Sequence, residues 1–107
     1  MAMRFAIIDN DDKDVIELLQ SAKGGVEIVE KHYKHGIVWA LYERDLKSAC
    51  ILTEKSELVY EMQMLVTYDQ LHGERYDRYL LQYVIEYYRY SKVKPSDSYI
   101  RSFVPYR

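Results

Sequence analysis

The stretch from Leu58 to Tyr68 most constrains the fold of this chain. Leu58, Tyr60, Met62, Met64, Val66 and Tyr68 alternate without a break, while Glu61, Gln63, Thr67 and Asp69 occupy the intervening positions. On a helical wheel these polar residues scatter around the axis, so a period of two describes the segment better than one of 3.6. A long strand with two differently composed faces needs neighbours, and the residues before it supply them. Ile37 to Glu43 (IVWALYE) is dense in β-branched and aromatic residues, and Ser48 to Thr53 returns after a turn at Arg44 to Lys47. Glu54 to Glu57 then turns the chain into the long strand. Short polar connections of this kind make an antiparallel meander.

The other strong signal is the run from Gly73 to Lys94, which holds six of the twelve tyrosines. At about 100° per residue, Arg75, Arg78, Gln82, Glu86 and Arg89 form one polar strip. Tyr76, Tyr79, Leu80, Tyr83, Val84, Tyr87 and Tyr90 form a second file, and Leu81, Ile85 and Tyr88 a third. This predicts a helix with only its charged strip left for water. One flank packs on the sheet, and the other meets a second helix or a partner chain. Tyr76, Tyr79, Tyr83, Tyr87, Tyr88 and Tyr90 are therefore the expected interface residues, and a homodimer or a protein partner the expected company.

The ends of the chain complete the pattern. Arg4 to Asp9 (RFAIID) reads as a buried strand, and Asp9 to Asp12 supply helix caps. Val15, Leu18, Leu19 and Ala22 follow at helical spacing before Gly24 and Gly25. Val26 to Tyr33 is read as a strand, although a helical period fits it as well. Ser98 to Tyr106 is a last strand, confined to an edge by Pro105. The expected order is β-α-β-β-β-β-α-β, an α+β domain of antiparallel meander and two helices spanning residues 1–107 as a single unit.

Composition excludes more than it assigns. At 107 residues there is room for one core. No apolar run approaches the roughly 20 residues that cross a bilayer. The opening MAMRFAIIDNDD lacks the pattern of a signal peptide, so a cytoplasmic location without membrane attachment is expected. The lone Cys50, among Ala49, Ile51 and Leu52, reads as a core residue. His32, His35 and His72 do not have the spacing of a metal site, and none is expected. Seven acids lie within residues 1–30, whereas Arg89, Lys92, Lys94, Arg101 and Arg107 make the last segment basic. Such a segment beside tyrosines admits nucleic-acid binding as an alternative, against an overall net charge of −2.

The order and spacing of these elements resemble the GNAT superfamily of N-acyltransferases. RFAIID with NDDKDVIELLQSA looks like the opening strand and helix, IVWALYERD with SACILTEK like the hairpin, and ELVYEMQMLV like the fourth strand. DQLHGERYDRYLLQYVIEYYR looks like the phosphate loop and main helix. In that loop Gln70 and Gly73 match the family motif, and Arg75 stands where the family has Gly or Ala. The resemblance implies acetyl-CoA as the cofactor, its pyrophosphate held by backbone N–H groups at a helix N-terminus. It also implies Glu61 as general base on the fourth strand, and a splayed gap between the fourth and fifth strands without which the cofactor has no site. The family's tyrosine-bearing helix after the fifth strand has no counterpart before Arg107. The expectation is thus a truncated GNAT-like domain acting chiefly as a binding module. The alternative is an N-acetyltransferase whose site a second chain completes.

Overall fold

A computed structural model describes residues 2–69 and 75–105. In chain order its elements are β1 (Arg4–Ile8), α1 (Lys13–Ser21), α2 (Gly25–His32), β2 (Ile37–Glu43), β3 (Asp45–Ser56), β4 (Val59–Asp69), α3 (Tyr76–Tyr87) and β5 (Lys92–Pro105). The strands form one sheet in the order β1-β2-β3-β4-β5. The first four pair antiparallel, and β5 joins β4 in parallel. The domain is α+β with a mixed five-stranded sheet and three helices.

Each sheet face has its own core. Val15, Leu18 and Leu19 of α1 and Ile28 and Val29 of α2 pack with Val38, Ala40, Ile51, Met64 and Val66 on one face. Leu80 and Val84 of α3 pack with Trp39, Leu41, Cys50, Leu52, Met62 and Leu65 on the other. At the start of α1, Asp12 accepts hydrogen bonds from the Asp14 and Val15 amides through Oδ1, at 3.1 and 3.2 Å, an N-cap in the expected place.

Val26 to Tyr33 is helical, which corrects the strand reading and replaces the sixth strand with a third helix. The cause lies in the corner before it. Ala22 is extended, Gly24 sits at φ 81°, and a Cβ on Gly25 would fall 2.1 Å from the Leu19 carbonyl oxygen. This close corner returns the chain onto α1, and Ile28, Val29 and Tyr33 then face the core at helical spacing while Val26 stays exposed. Tyr33 closes the arrangement, its hydroxyl donating to the Asn10 carbonyl at 2.9 Å.

The alternation in β4 also changes meaning. Leu52 pairs with Met62 but Ile51 with Met64, so Gln63 is an extra residue, a β-bulge. The bulge shifts the pleat: Tyr60 and Met62 join the α3 core, whereas Met64, Val66 and Tyr68 join the α1/α2 core. Gln63 itself is buried and donates from Nε2 to Thr53 Oγ1 at 2.9 Å.

β5 responds to the same bulge. Val59–Met62 pair with Lys92–Pro95, then Met64–Asp69 with Ile100–Pro105, and residues 96–99 loop past Gln63 without partners in the register. The tyrosine helix is shorter than predicted: it is capped at Tyr88, and Lys92 to Lys94 already belong to β5. Val93, beside Tyr60 in the ladder, packs against the α3 core, and this burial favours the strand.

Candidate functional site: the aromatic face of α3 and the β4–β5 ladder

α3 runs back over the sheet from the end of β4, and its fully buried line is Asp77, Leu80 and Val84. The strip Arg75, Arg78, Gln82, Glu86 and Arg89 is exposed throughout, as the wheel requires. Between these two lines the tyrosines divide by use. Tyr76 donates its hydroxyl to Glu43 Oε1 at 2.6 Å, and that bond, with some burial, pushes its pKa up to about 12. Tyr79 is half-buried against the sheet. Tyr88 accepts a hydrogen bond from Trp39 Nε1 at 3.3 Å and lies 4.7 Å from the Tyr60 ring.

Tyr83 and Tyr87 form the outward part of the same cluster. Tyr83 stacks on Phe5 with centroids 4.0 Å apart, and Trp39 meets Tyr83 and Tyr87 edge-on at 5.6 and 4.8 Å. Both still keep a large exposed fraction, 41% and 54%, and Ile7, paired with Trp39 across β1 and β2, is 45% exposed. Tyr90 lies past the helix at 82% exposure, with the Arg89 guanidinium 4.8 Å from its ring centre.

Asp77 was not singled out by the sequence reading. It lies in the first turn of α3, 2% exposed, where a carboxylate suits the helix dipole. Its Oδ2 accepts from Arg101 Nε at 2.9 Å and also from Arg101 Nη2, tying α3 to β5. Oδ1 is buried without a partner among the described residues. The signal was present in the sequence: on the wheel Asp77 falls between Leu80 and Leu81, an acid inside the apolar face.

Gln70 and Gly73, the expected cofactor-loop residues, lie outside the described residues. Arg75 is exposed, precedes α3, and makes no side-chain cap; its carbonyl accepts from the Tyr79 amide at 2.9 Å. Glu61 is turned by the pleat to the opposite face from Met62. There it pairs with Lys55 at 3.4 Å, beside Thr53 and Lys94 in the two ladders. This carboxylate raises the Lys55 pKa.

A cleft of about 270 Å³ opens where β5 loops past the bulge, lined by Met62, Leu81, Ile85, Val93, Lys94, Pro95, Tyr99 and Arg101. Glu61 is not part of it. A second hollow of similar size lies at Asp9, Asn10, Asp11, Tyr33 and Lys34. Among the described residues no group of three or more His, Cys, Asp and Glu could hold a metal ion. No helix there is long and apolar enough to cross a membrane.

No protein-family model and no curated protein matches the sequence. Solved structures do resemble the fold. An IAA acetyltransferase from Bacillus cereus superposes with a TM-score of 0.68 at 14% identity, covering 82% of this chain and 59% of that one. A Bacillus subtilis acetyltransferase in complex with CoA gives 0.70 at 16% identity over 83% and 59%. A GNAT family acetyltransferase from Elizabethkingia anophelis with acetyl-CoA bound gives 0.69 at 13% over 82% and 58%. The chain therefore has the GNAT acetyltransferase fold, and it spans about three-fifths of the length of these structures.

Among the described residues, β4, β5 and the first turn of α3 do not fit the cofactor that the fold implies. A gap between β4 and β5 is needed to admit it, yet six residues of β4, Met64–Asp69, pair with Ile100–Pro105 up to the end of the strand. The hydrogen-bonding edge of β4 that faces the gap is thus taken by β5. The first turn of α3, where phosphates would meet the helix dipole, already holds the Asp77 carboxylate. Among the described residues, the cleft at the bulge holds about 270 Å³, below the ~300–1,000 Å³ usual for ligand pockets.

Proposed function

We propose that this chain is a GNAT-fold interaction module that assembles as a homodimer and does not transfer acyl groups. The observation that carries this reading is the β4–β5 ladder, which runs unbroken from Met64 to Asp69, where an extended cofactor would need the two strands apart. The half-exposed aromatic flank of Ile7, Tyr83 and Tyr87 supports it from the other side. Apolar rings held stiffly by Phe5 and Trp39 lose little entropy on meeting a partner surface.

The alternative functions lose their residues to other work. Glu61, the candidate base for acyl transfer, is ion-paired away from the cleft. For nucleic-acid binding, Arg101 of the basic segment is bound to Asp77, and Arg89 lies 3.8 Å from Glu86.

Light scattering on the eluting peak at micromolar concentration tests the assembly, with a dimer expected. Calorimetry with millimolar acetyl-CoA tests the chemistry, with no heat of binding expected. A monomer that binds acetyl-CoA would overturn the proposal.

A further inference from the structure

The bulge at Gln63 shapes a cleft as well as a register. Because β4 carries an extra residue there, β5 leaves the ladder after Pro95 and rejoins it at Ile100. The cleft of about 270 Å³ lies between this part of β5 and α3, with Leu81 and Ile85 on the helical wall, Val93 and Tyr99 on the strand wall, and Met62 of β4 also lining it. It is walled on two sides and lies away from the first turn of α3. Its charged lining residues are Lys94 and Arg101, both cations, and no carboxylate is among them. Arg101 is fixed in place. The buried Asp77 accepts from its Nε and Nη2 through Oδ2, and among the described residues nothing accepts from Nη1. The guanidinium is thus held on one edge and free on the other, with its side chain 46% exposed.

We infer that this cleft binds a small monocarboxylate with an apolar body, its hydrocarbon laid against Leu81, Ile85 and Val93 and its carboxylate on the free edge of Arg101. The walls select the body. Ile85 is 48% exposed, so a hydrocarbon seated beside it removes apolar surface from water. The charges select the head group. Asp77 and Arg101 cancel, and Lys94 leaves the lining positive, while Glu61, beside Lys94 in the ladder, is committed to Lys55. A guanidinium presents a carboxylate with a planar pair of donors, and the bond to Asp77 sets the plane before the ligand arrives. Size selects the class: the volume is too small for a cofactor of nucleotide dimensions and suits a molecule such as hexanoate. The site is independent of the homodimer proposed above and involves no acyl transfer, because the acid binds and leaves unchanged.

The test is a titration of the isotope-labelled full chain with hexanoate, followed by amide NMR, with hexanol and hexylamine as the neutral and cationic counterparts. Saturable shifts centred on residues 81–85 and 93–101 are expected at millimolar hexanoate, with hexanol ~10-fold weaker or worse and hexylamine without effect. Arg101→Lys keeps a cation beside Asp77 but removes the free edge, and is expected to weaken hexanoate ~10-fold while leaving hexanol unchanged. Ile85→Glu sets a carboxylate on the wall at an exposed position that the fold tolerates, and is expected to abolish binding of hexanoate. Hexanol that binds as tightly as hexanoate overturns the choice of head group, and hexanoate that ignores Ile85→Glu or gathers its shifts at Ile7, Tyr83 and Tyr87 overturns the location. The absence of any saturable shift overturns the site altogether. Light scattering on the same samples reads the homodimer separately, so either proposal can fail while the other stands.

Discussion

Asp77 and Arg101 show how one pair of side chains organises the site. The carboxylate is buried and the guanidinium is 46% exposed, so the pair gains less from its charges than a fully buried one and more than a surface one. Asp77→Asn keeps the shape and removes the charge, leaving Arg101 without its counter-ion. Urea unfolding should register a loss of ~1–3 kcal/mol; an unchanged midpoint would deny the pair any structural role. Tyr76 makes a different prediction. Its folded pKa of about 12 lies above the unfolded value near 10, because the Glu43 bond favours the protonated hydroxyl. Its contribution is therefore complete below pH ~10 and lost as pH rises toward 12. Melting temperatures measured across that window should fall more steeply for the wild type than for Tyr76→Phe.

Among the elements, the corner between α1 and α2 is the most sensitive. A methyl group on Gly25 meets backbone that cannot move aside, so Gly25→Ala should cost ~3 kcal/mol or more in chemical denaturation. The same corner explains what the sequence could and could not reveal. Helices α1 and α3 and strand β4 were legible because each repeats its period over enough residues, and β1 to β3 because short β-forming apolar runs lie between polar turns. Val26 to Tyr33 satisfies both periods, and the decision lies in the positive φ of Gly24 and the approach of Gly25 to Leu19, which are tertiary facts. The bulge at Gln63 was hidden for a related reason. Met62, Met64 and Val66 suit either core, so the alternation continues through the point where the strand changes faces. The tyrosine face was legible as a surface. Its division into rings used inside the chain and rings left outside depended on Glu43, Phe5 and Trp39, distant in sequence. Asp77 needed the topology that brings Arg101 beside it.

For the whole molecule, a shared fold and a shared site part company. The chain has the GNAT acetyltransferase fold, while β5 pairs with β4 up to Asp69, where the resemblance implies a gap. Under the proposed reading a surface takes over from a pocket, and the half-exposed aromatic flank is the surface on offer. The most direct test of the closed gap is amide hydrogen exchange across Met64–Asp69 and Ile100–Val104, with and without millimolar acetyl-CoA. Slow exchange in both segments, unchanged by the ligand, is the predicted result. Fast exchange in Ile100–Val104, or protection that acetyl-CoA creates at the end of β4, would contradict it.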